Sequence, residues 1–331
     1  MSVLVTGGAG YIGSHMVWEL LDHGEDVVVL DNLTTGFRWA IPENVTFIEG
    51  DIADQPLVED TLRRLQIDTI IHFAGSVVVP ESMVDPLKYY DNNTGRSRVL
   101  VQAAVNCGVD KFIFSSTAAV YGPPEKSEPV SENAVLMPMS PYGASKLMTE
   151  MMIRDVASAH DLRYVMLRYF NVAGADAAGR VGLSTQGATH LIKLACEAAL
   201  GKRNHLEVYG TDYDTPDGSG VRDFIHVSDL ANAHYHALQF LREDGRKFTA
   251  NCGYGTGYSV LEVIEAVKRV SGCEFEVRLG PRREGDIGLM IANPSRMMSR
   301  LDWVPQHGNL DHIIATALAW EGQLLERRKS A

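Results

Sequence analysis

At 331 residues, 45% hydrophobic and 22% charged, the chain has the make-up of a soluble globular protein, long enough for one large or two medium domains. A formal net charge of -12 argues against nucleic acid or an anionic membrane surface as the main partner, and leaves room for a small anionic ligand held by local arginines. Met1 leads directly into apolar Val3-Leu4-Val5 without a basic leader, no apolar run nears the ~20 residues of a membrane span, and Cys107, Cys196, Cys252 and Cys273 form no Cys-x-x-Cys, so a cytoplasmic protein with free thiols is expected.

Residues 2–6 form a short apolar run, followed by Gly7-Gly8-Ala9-Gly10-Tyr11-Ile12-Gly13 and an amphipathic segment to about His23. Gly24 ends that helix, and Asp26 to Asp31 read as a second strand, which completes a βαβ unit with near-continuous apolar strands. The loop satisfies both Gly-x-Gly-x-x-Gly (Gly8, Gly10, Gly13) and Gly-x-x-Gly-x-x-Gly (Gly7, Gly10, Gly13). Glycines there tighten the turn, let the backbone approach a pyrophosphate and let helix and strand pack closely, while the helix N-terminus offers bare N–H groups to the phosphate. An acid about twenty residues on, Asp31, suits the adenosine ribose hydroxyls and would repel a 2′-phosphate. No arginine follows in Asn32-Leu33-Thr34-Thr35-Gly36, so NAD is expected rather than NADP.

Further strands are predicted at 45–49, 69–73, 111–115 and 164–169, with helices near 54–65, 86–107 and 142–159. Six strands alternating with helices predict an α/β fold, a doubly wound parallel sheet of Rossmann type. Asp51 and Ile52 end the third strand and Phe73-Ala74-Gly75 the fourth, where ligands sit in such sheets. His72, inside an apolar strand, reads as a hydrogen-bonded core histidine.

Ser115-Ser116-Thr117 ends the fifth strand. Downstream, Ser140 suits a helix N-cap and Pro141 the first helical position, so Tyr142 and Lys146, four apart, share one helical face. An ammonium beside a phenol favours the phenolate, which makes a proton-transfer group for near-neutral pH. A strand-end hydroxyl such as Thr117 could hydrogen-bond the oxygen that Tyr142 deprotonates.

After about residue 172 the pattern changes. A Gly/Ala-rich loop at 173–187, a helix at about 188–200, a polar loop at 210–220 and a last helix near 309–328 predict a smaller second domain over 173–331, exchanging segments with an NAD-binding domain over 1–172. His234-x-His236 puts its histidines on different helical faces, which predicts no metal site. Arg327-Arg328-Lys329 reads as a solvated helix end.

Together the glycine loop, Asp31, the Ser-Ser-Thr strand end and Tyr142-x-x-x-Lys146 resemble the extended short-chain dehydrogenase/reductase family. Val5 to His15, Asp31-Asn32-Leu33, Leu167 to Asn171, Gly220 to Val227 and Arg282-Arg283-Glu284-Gly285-Asp286 narrow the resemblance to the UDP-glucose 4-epimerase family, across nearly the whole chain. The resemblance implies a homodimer that interconverts UDP-glucose and UDP-galactose, for galactose use or as a supply of polysaccharide precursors. Tyr142 would be the acid/base, Lys146 would hold the nicotinamide ribose and lower the tyrosine pKa, and Thr117 would bind the sugar oxygen. Oxidation at C4 would give a 4-keto sugar, re-reduced on its other face, so NAD would stay bound. Tyr11, Ile12, Asp31 to Gly36, Asp51, Ile52, Phe73, Ala74, Asn92, Lys146 and Phe170 would contact NAD. Asn171, His190, Arg222 and Arg283 would hold the UDP-sugar.

Three positions depart from the family pattern. Val77 stands where some epimerases have lysine, Asn92-Asn93-Thr94-Gly95-Arg96 lacks the usual Asn-Gly-Thr ending, and Met290 occupies a size-gating position, which predicts a poor fit for N-acetylated sugars. Ala118 and Ala119 stand where nucleotide-sugar dehydratases typically carry Asp-Glu, against that activity. Met148, Met151 and Met152, on the helix of Lys146, are expected in the core or at a subunit contact.

Overall fold

The computed structural model describes residues 2–124, 128–243, 245–283 and 285–329. Glu284 and the side chains of Arg327-Arg328-Lys329, both singled out above, lie outside the described residues. Six apolar runs form parallel strands: β1 (Ser2–Thr6), β2 (Asp26–Asp31), β3 (Thr46–Glu49), β4 (Ile67–His72), β5 (Lys111–Thr117) and β6 (Arg163–Tyr169). A seventh strand, Lys247–Cys252, adds beside β6, and the order across the sheet is Lys247–Cys252, β6, β5, β4, β1, β2, β3. Strand order reverses between β1 and β4, which opens a crevice at the carboxyl ends of the strands.

The expected two-faced burial follows from strand periodicity. Val3 and Val5 face one side with Val17, Leu20, Ile71, Val165 and the Val227–Arg242 helix. Leu4 faces the other with Phe112, Phe114, Leu62, Leu100 and Ile153. Apolar side chains on both faces explain why these strands read as unbroken apolar runs. Lys247-Phe248-Thr249-Ala250-Asn251-Cys252 is more polar, as befits an edge strand, and sequence pattern alone did not assign it to this sheet.

Two helical features depart from expectation. The 86–107 helix runs as Pro86–Tyr89, a π-helical turn at Tyr90–Gly95, and Arg96–Cys107. Ahead of it, Val79–Val84 is a helix where no element was expected, with Pro80 in its first turn.

The rest of the chain builds a smaller unit. The strand Val221–His226 pairs with Asn171–Ala173, Gly257–Ser259 and Leu289–Met290, and Ile192, Val208, Phe224, Ile264 and Ile313 share its core. The predicted helices appear as Leu191–Ala199 and Leu310–Lys329, and residues 210–220 hold neither helix nor strand. The polypeptide then crosses back, because the Val227–Arg242 helix packs on Tyr11–Asp22 and Lys247–Cys252 extends the large sheet.

Candidate active site

Thr6 ends β1, and the chain turns at Gly7 with a left-handed φ of 70°. A Cβ at Gly7 would lie 2.5 Å from the Ala74 nitrogen, and one at Gly13 would lie 2.1 Å from the Gly7 oxygen. Only glycine lets the loop close both on its own helix and on the end of β4. Gly10 opens the Tyr11–Asp22 helix with no side-chain cap among the described residues and no acid in the first turn. The N–H end at Tyr11, Ile12 and Gly13 therefore keeps its partial positive charge for an anion.

Asp31 is buried at the end of β2, where one carboxylate oxygen accepts from Ala9 N–H at 2.9 Å and the other from Leu33 N–H at 2.8 Å. Burial raises its carboxyl above the ordinary range, against the pull of those two donors. Each oxygen has a second lone pair, which suits a ribose diol. The next loop folds back on the glycine turn: Phe37 N–H donates to the Ala9 oxygen at 2.9 Å, Thr34 N–H donates to Asn32 Oδ1, and Leu33 adopts φ 57°. A Cβ at Gly36 would lie 2.8 Å from Ala9, so only glycine lets this loop close on the turn. Asp51 accepts from Asn32 at 3.0 Å and pairs with Arg96, which also reaches Asp91 at 3.1 Å. Arg96 is one of the residues that break the family pattern, and it gives Asp51 a cation. Ile52 is buried under the sheet.

Phe73, Ala74 and Gly75 follow β4, and Phe73 N–H donates to the Thr6 oxygen at 3.0 Å, aligning two strand ends. His72 bonds Thr6 Oγ1 at 2.7 Å and Ser97 Oγ at 2.8 Å, as a core histidine should. Burial, with Lys146 adding to it, lowers its pKa to about 3.

The Ser140 hydroxyl accepts from Gly143 N–H at 3.2 Å and Pro141 opens the Pro141–Ala159 helix, so the capping expectation holds. Tyr142 is 6% exposed and Lys146 4%. The Tyr142 ring meets Tyr89 edge-on at 6.4 Å, and Lys146 Nζ stands 4.4 Å from the centre of the Phe114 ring. Thr117 accepts from Ala119 N–H at 3.1 Å, and its hydroxyl lies close enough to that of Tyr142 to favour the phenolate.

The electrostatics differ from the sequence-based expectation. Burial dominates at Tyr142 and raises its phenol, and the group that pulls it down is Thr117 rather than Lys146. Burial also lowers the Lys146 ammonium to about 7, against an upward pull from Glu150. A dry site disfavours both charges, so ionising Tyr142 near neutral pH requires a further positive group beside it.

Sequence reasoning singled out Asn92, which donates to Ser76 Oγ at 2.8 Å, and missed its neighbour. Asn93 is buried in the π turn, accepts from Ser76 N–H at 2.7 Å, and donates to the Ser76 oxygen and to Ser145 Oγ, each at 3.0 Å. Thr149 Oγ1 donates to the Asn93 oxygen at 2.8 Å. These bonds fasten the π turn to the helix of Tyr142 and Lys146. The signal for it was the polar stripe Ser145 and Thr149, four apart on a buried face.

Tyr11, at the start of the glycine-turn helix, lines one cleft with Asn171, His190, Phe224 and Trp320, and its hydroxyl donates to the Gly174 oxygen at 2.7 Å. Arg222, Arg283 and Met290 do not line that cleft. Arg222 donates to the Val221 oxygen at 2.9 Å, and burial lowers its pKa. Arg283 lies over the Tyr209 ring at 3.6 Å, while Arg282 lies over Tyr213 at 4.2 Å and pairs with Asp212. Met290 pairs in register with Arg222 and is buried with Phe170, Ala118, Val120 and Tyr121, directly after Thr117.

The family model for the NAD dependent epimerase/dehydratase family matches residues 3–253. A UDP-glucose 4-epimerase of Azospirillum brasilense is 54% identical over 322 residues, covering 97% of this chain and 92% of that relative. The structure of UDP-glucose 4-epimerase from Brucella ovis in complex with NAD has a TM-score of 0.93 at 43% identity, covering 96% of this chain and 97% of that one. The Bifidobacterium longum enzyme in complex with NAD+ and UDP has a TM-score of 0.92 at 39% identity, covering 98% of each chain. With the glycine turn, Asp31 and the Tyr142–Thr117–Lys146 group all on the crevice rim of one parallel sheet, the chain belongs to the NAD dependent epimerase/dehydratase family and, within it, to the UDP-glucose 4-epimerases.

Proposed function

We propose that the chain interconverts UDP-glucose and UDP-galactose by NAD-dependent oxidation and re-reduction at sugar C4, through a 4-keto sugar. The observation that carries this reading is the buried meeting of the Tyr142 and Thr117 hydroxyls next to Lys146, on the same rim as a turn that only glycine can form. Gly7, Gly10, Tyr11, Ile12 and Gly13 would hold the cofactor diphosphate. Asp31 would hold the adenosine ribose, and Asn32 to Gly36, Asp51 and Ile52 would flank the adenosine. Phe73, Ala74, Gly75, Asn92, Lys146 and Phe170 would complete the site. When bound, NAD supplies the acceptor and donor for the C4 hydrogen and a positive ring beside Tyr142.

The remaining steps belong to the chain. Tyr142 takes the C4 hydroxyl proton and later returns it, and Thr117 holds that oxygen. Lys146 would hold the nicotinamide ribose, and the positive ring of bound NAD would favour the phenolate against the burial that opposes it. Arg222 and Arg283 give the UDP diphosphate guanidinium partners, with Asn171 and His190 beside it. Anchoring the UDP end keeps the ketone in the site while the sugar turns over. Met290, buried against Phe170, limits room at the sugar end, so N-acetylated sugars would fit poorly.

Met148 and Met151 are exposed on the Tyr142 helix, and Met83, Val84 and Leu87 are exposed on segments packed against it, which supports a homodimer through this face. The four free thiols support a reducing, cytoplasmic setting, where the activity would serve galactose use or polysaccharide precursor supply. Purified protein incubated with UDP-galactose and no added NAD is expected to form UDP-glucose without net cofactor reduction. No conversion, or accumulation of reduced cofactor, would overturn the reading. UDP-N-acetylgalactosamine, tested alongside, is expected to react more slowly, and equal rates would remove the role given to Met290.

A further inference from the structure

Glu150 lies one helical turn beyond Lys146 and is completely buried. Its Oε1 accepts from Ser116 Oγ at 2.6 Å and from Arg168 Nε at 2.9 Å, and its Oε2 accepts from Arg168 Nη2 at 2.6 Å. Ser116 immediately precedes Thr117. One carboxylate therefore joins the helix of Tyr142 and Lys146, the strand end that carries Thr117, and β6. The connection continues outward: Arg168 Nη1 donates to the Tyr121 hydroxyl at 2.9 Å, that hydroxyl donates to Asn251 Oδ1 at 2.7 Å, and Asn251 Nδ2 donates to the Val130 oxygen at 2.7 Å. A buried ion pair adds little net stability over a well-packed apolar replacement, so stability is a weak reason for its presence.

We propose that Glu150, braced by Arg168, is a positioning residue for the epimerase reaction: it holds the helix of Lys146 and the strand end of Thr117 in register around Tyr142. This rests on the roles given above to Tyr142, Thr117 and Lys146. Glu150 is faced by Ser116 of β5, by Arg168 and Tyr164 of β6, by Tyr121, and by Arg154 of its own helix at 3.7 Å. Lys146 is faced by the Phe114 ring of β5 and by His72 of β4, which burial keeps neutral. Burial pulls Lys146 down and Glu150 pulls it up. Removing the carboxylate together with the Arg168 guanidinium takes away opposite charges, so the loss of position is read from kcat against KM.

Glu150→Gln alone would leave the Arg168 guanidinium buried without a counter-charge. The test is therefore the double variant Glu150→Gln/Arg168→Met in the full NAD-loaded enzyme, with UDP-galactose as substrate. The expected result is parent-like NAD content, KM within about twofold and kcat down about tenfold. A parent-like kcat would overturn the proposal, leaving the pair a packing element. Ser116→Ala keeps both ions paired and so tests the tether without threatening the fold. There kcat is expected to fall about threefold, and a parent-like kcat would overturn the tether. Tyr142→Phe run in parallel separates the two levels: if that variant stays active, the roles assigned to the site fail, whatever Glu150 does.

Discussion

On the sheet side of the crevice the functional groups are buried and already bonded within the chain: Asp31 to Ala9 and Leu33, Asn93 to Ser76 and Ser145, Glu150 to Ser116 and Arg168. On the opposite side they stand on loops and short strands. Arg283 is exposed and rests on Tyr209, His190 is exposed at a helix start, and Arg222 meets carbonyl oxygens. Bonds within the chain leave the first wall little to reorganise when chemistry begins, which is where positional accuracy matters most. The second wall offers charge with less fixed geometry, which suits holding a diphosphate while the attached sugar changes orientation. The first wall should therefore govern kcat and the second KM.

Tyr142→Phe should give the largest effect. Loss of the acid/base on the sheet side is expected to lower kcat by about 100-fold or more, with NAD content retained. Near-parent turnover would break the comparison at its stronger end. Arg222→Met is expected to raise KM for the UDP-sugar about tenfold and to change kcat by less than about threefold, because it removes binding shared by ground and transition states. A fall in kcat at constant KM would place Arg222 with the chemistry and erase the division between the walls.

The effect least tied to either wall concerns stability and reaches both parts of the molecule. Burial lowers His72 and His226 to about 3 and His15 and His234 to about 4. Their unfolded value is about 6.5, so the unfolded chain takes up protons that the folded chain refuses as pH falls below it. The stability held by these neutral histidines is complete above pH ~6.5 and is lost toward pH ~3. Each should cost about 2 kcal/mol by about pH 5. Denaturant unfolding at neutral pH and at about pH 5 checks this, and equal stabilities would contradict it.

The features legible in the sequence are those built from neighbours in the chain. The glycine turn, Asp31 at a strand end, and the Ser140 cap with Tyr142 and Lys146 each fit within a few residues of local geometry, and the structure has those local arrangements. Features made by distant partners were not legible. Tyr121 and Asn251 are 130 positions apart and Ser116 and Glu150 are 34 apart, and no periodicity marks such pairs. The π turn arises where Asn93 bonds back to Ser76 and across to Ser145. The expected lowering of the Tyr142 pKa by Lys146 failed for a related reason, because spacing puts two groups on one face but does not show how dry that face is.

The central claim is that epimerisation proceeds by removing and returning the same hydrogen at C4. Conversion of UDP-galactose carrying deuterium at C4 in ordinary water tests it most directly. The expected product is UDP-glucose with deuterium retained at C4, because the hydrogen travels as hydride within the closed site while only the hydroxyl proton passes through Tyr142. Loss of the label to solvent would contradict it and would point instead to removal of the C4 hydrogen as a proton.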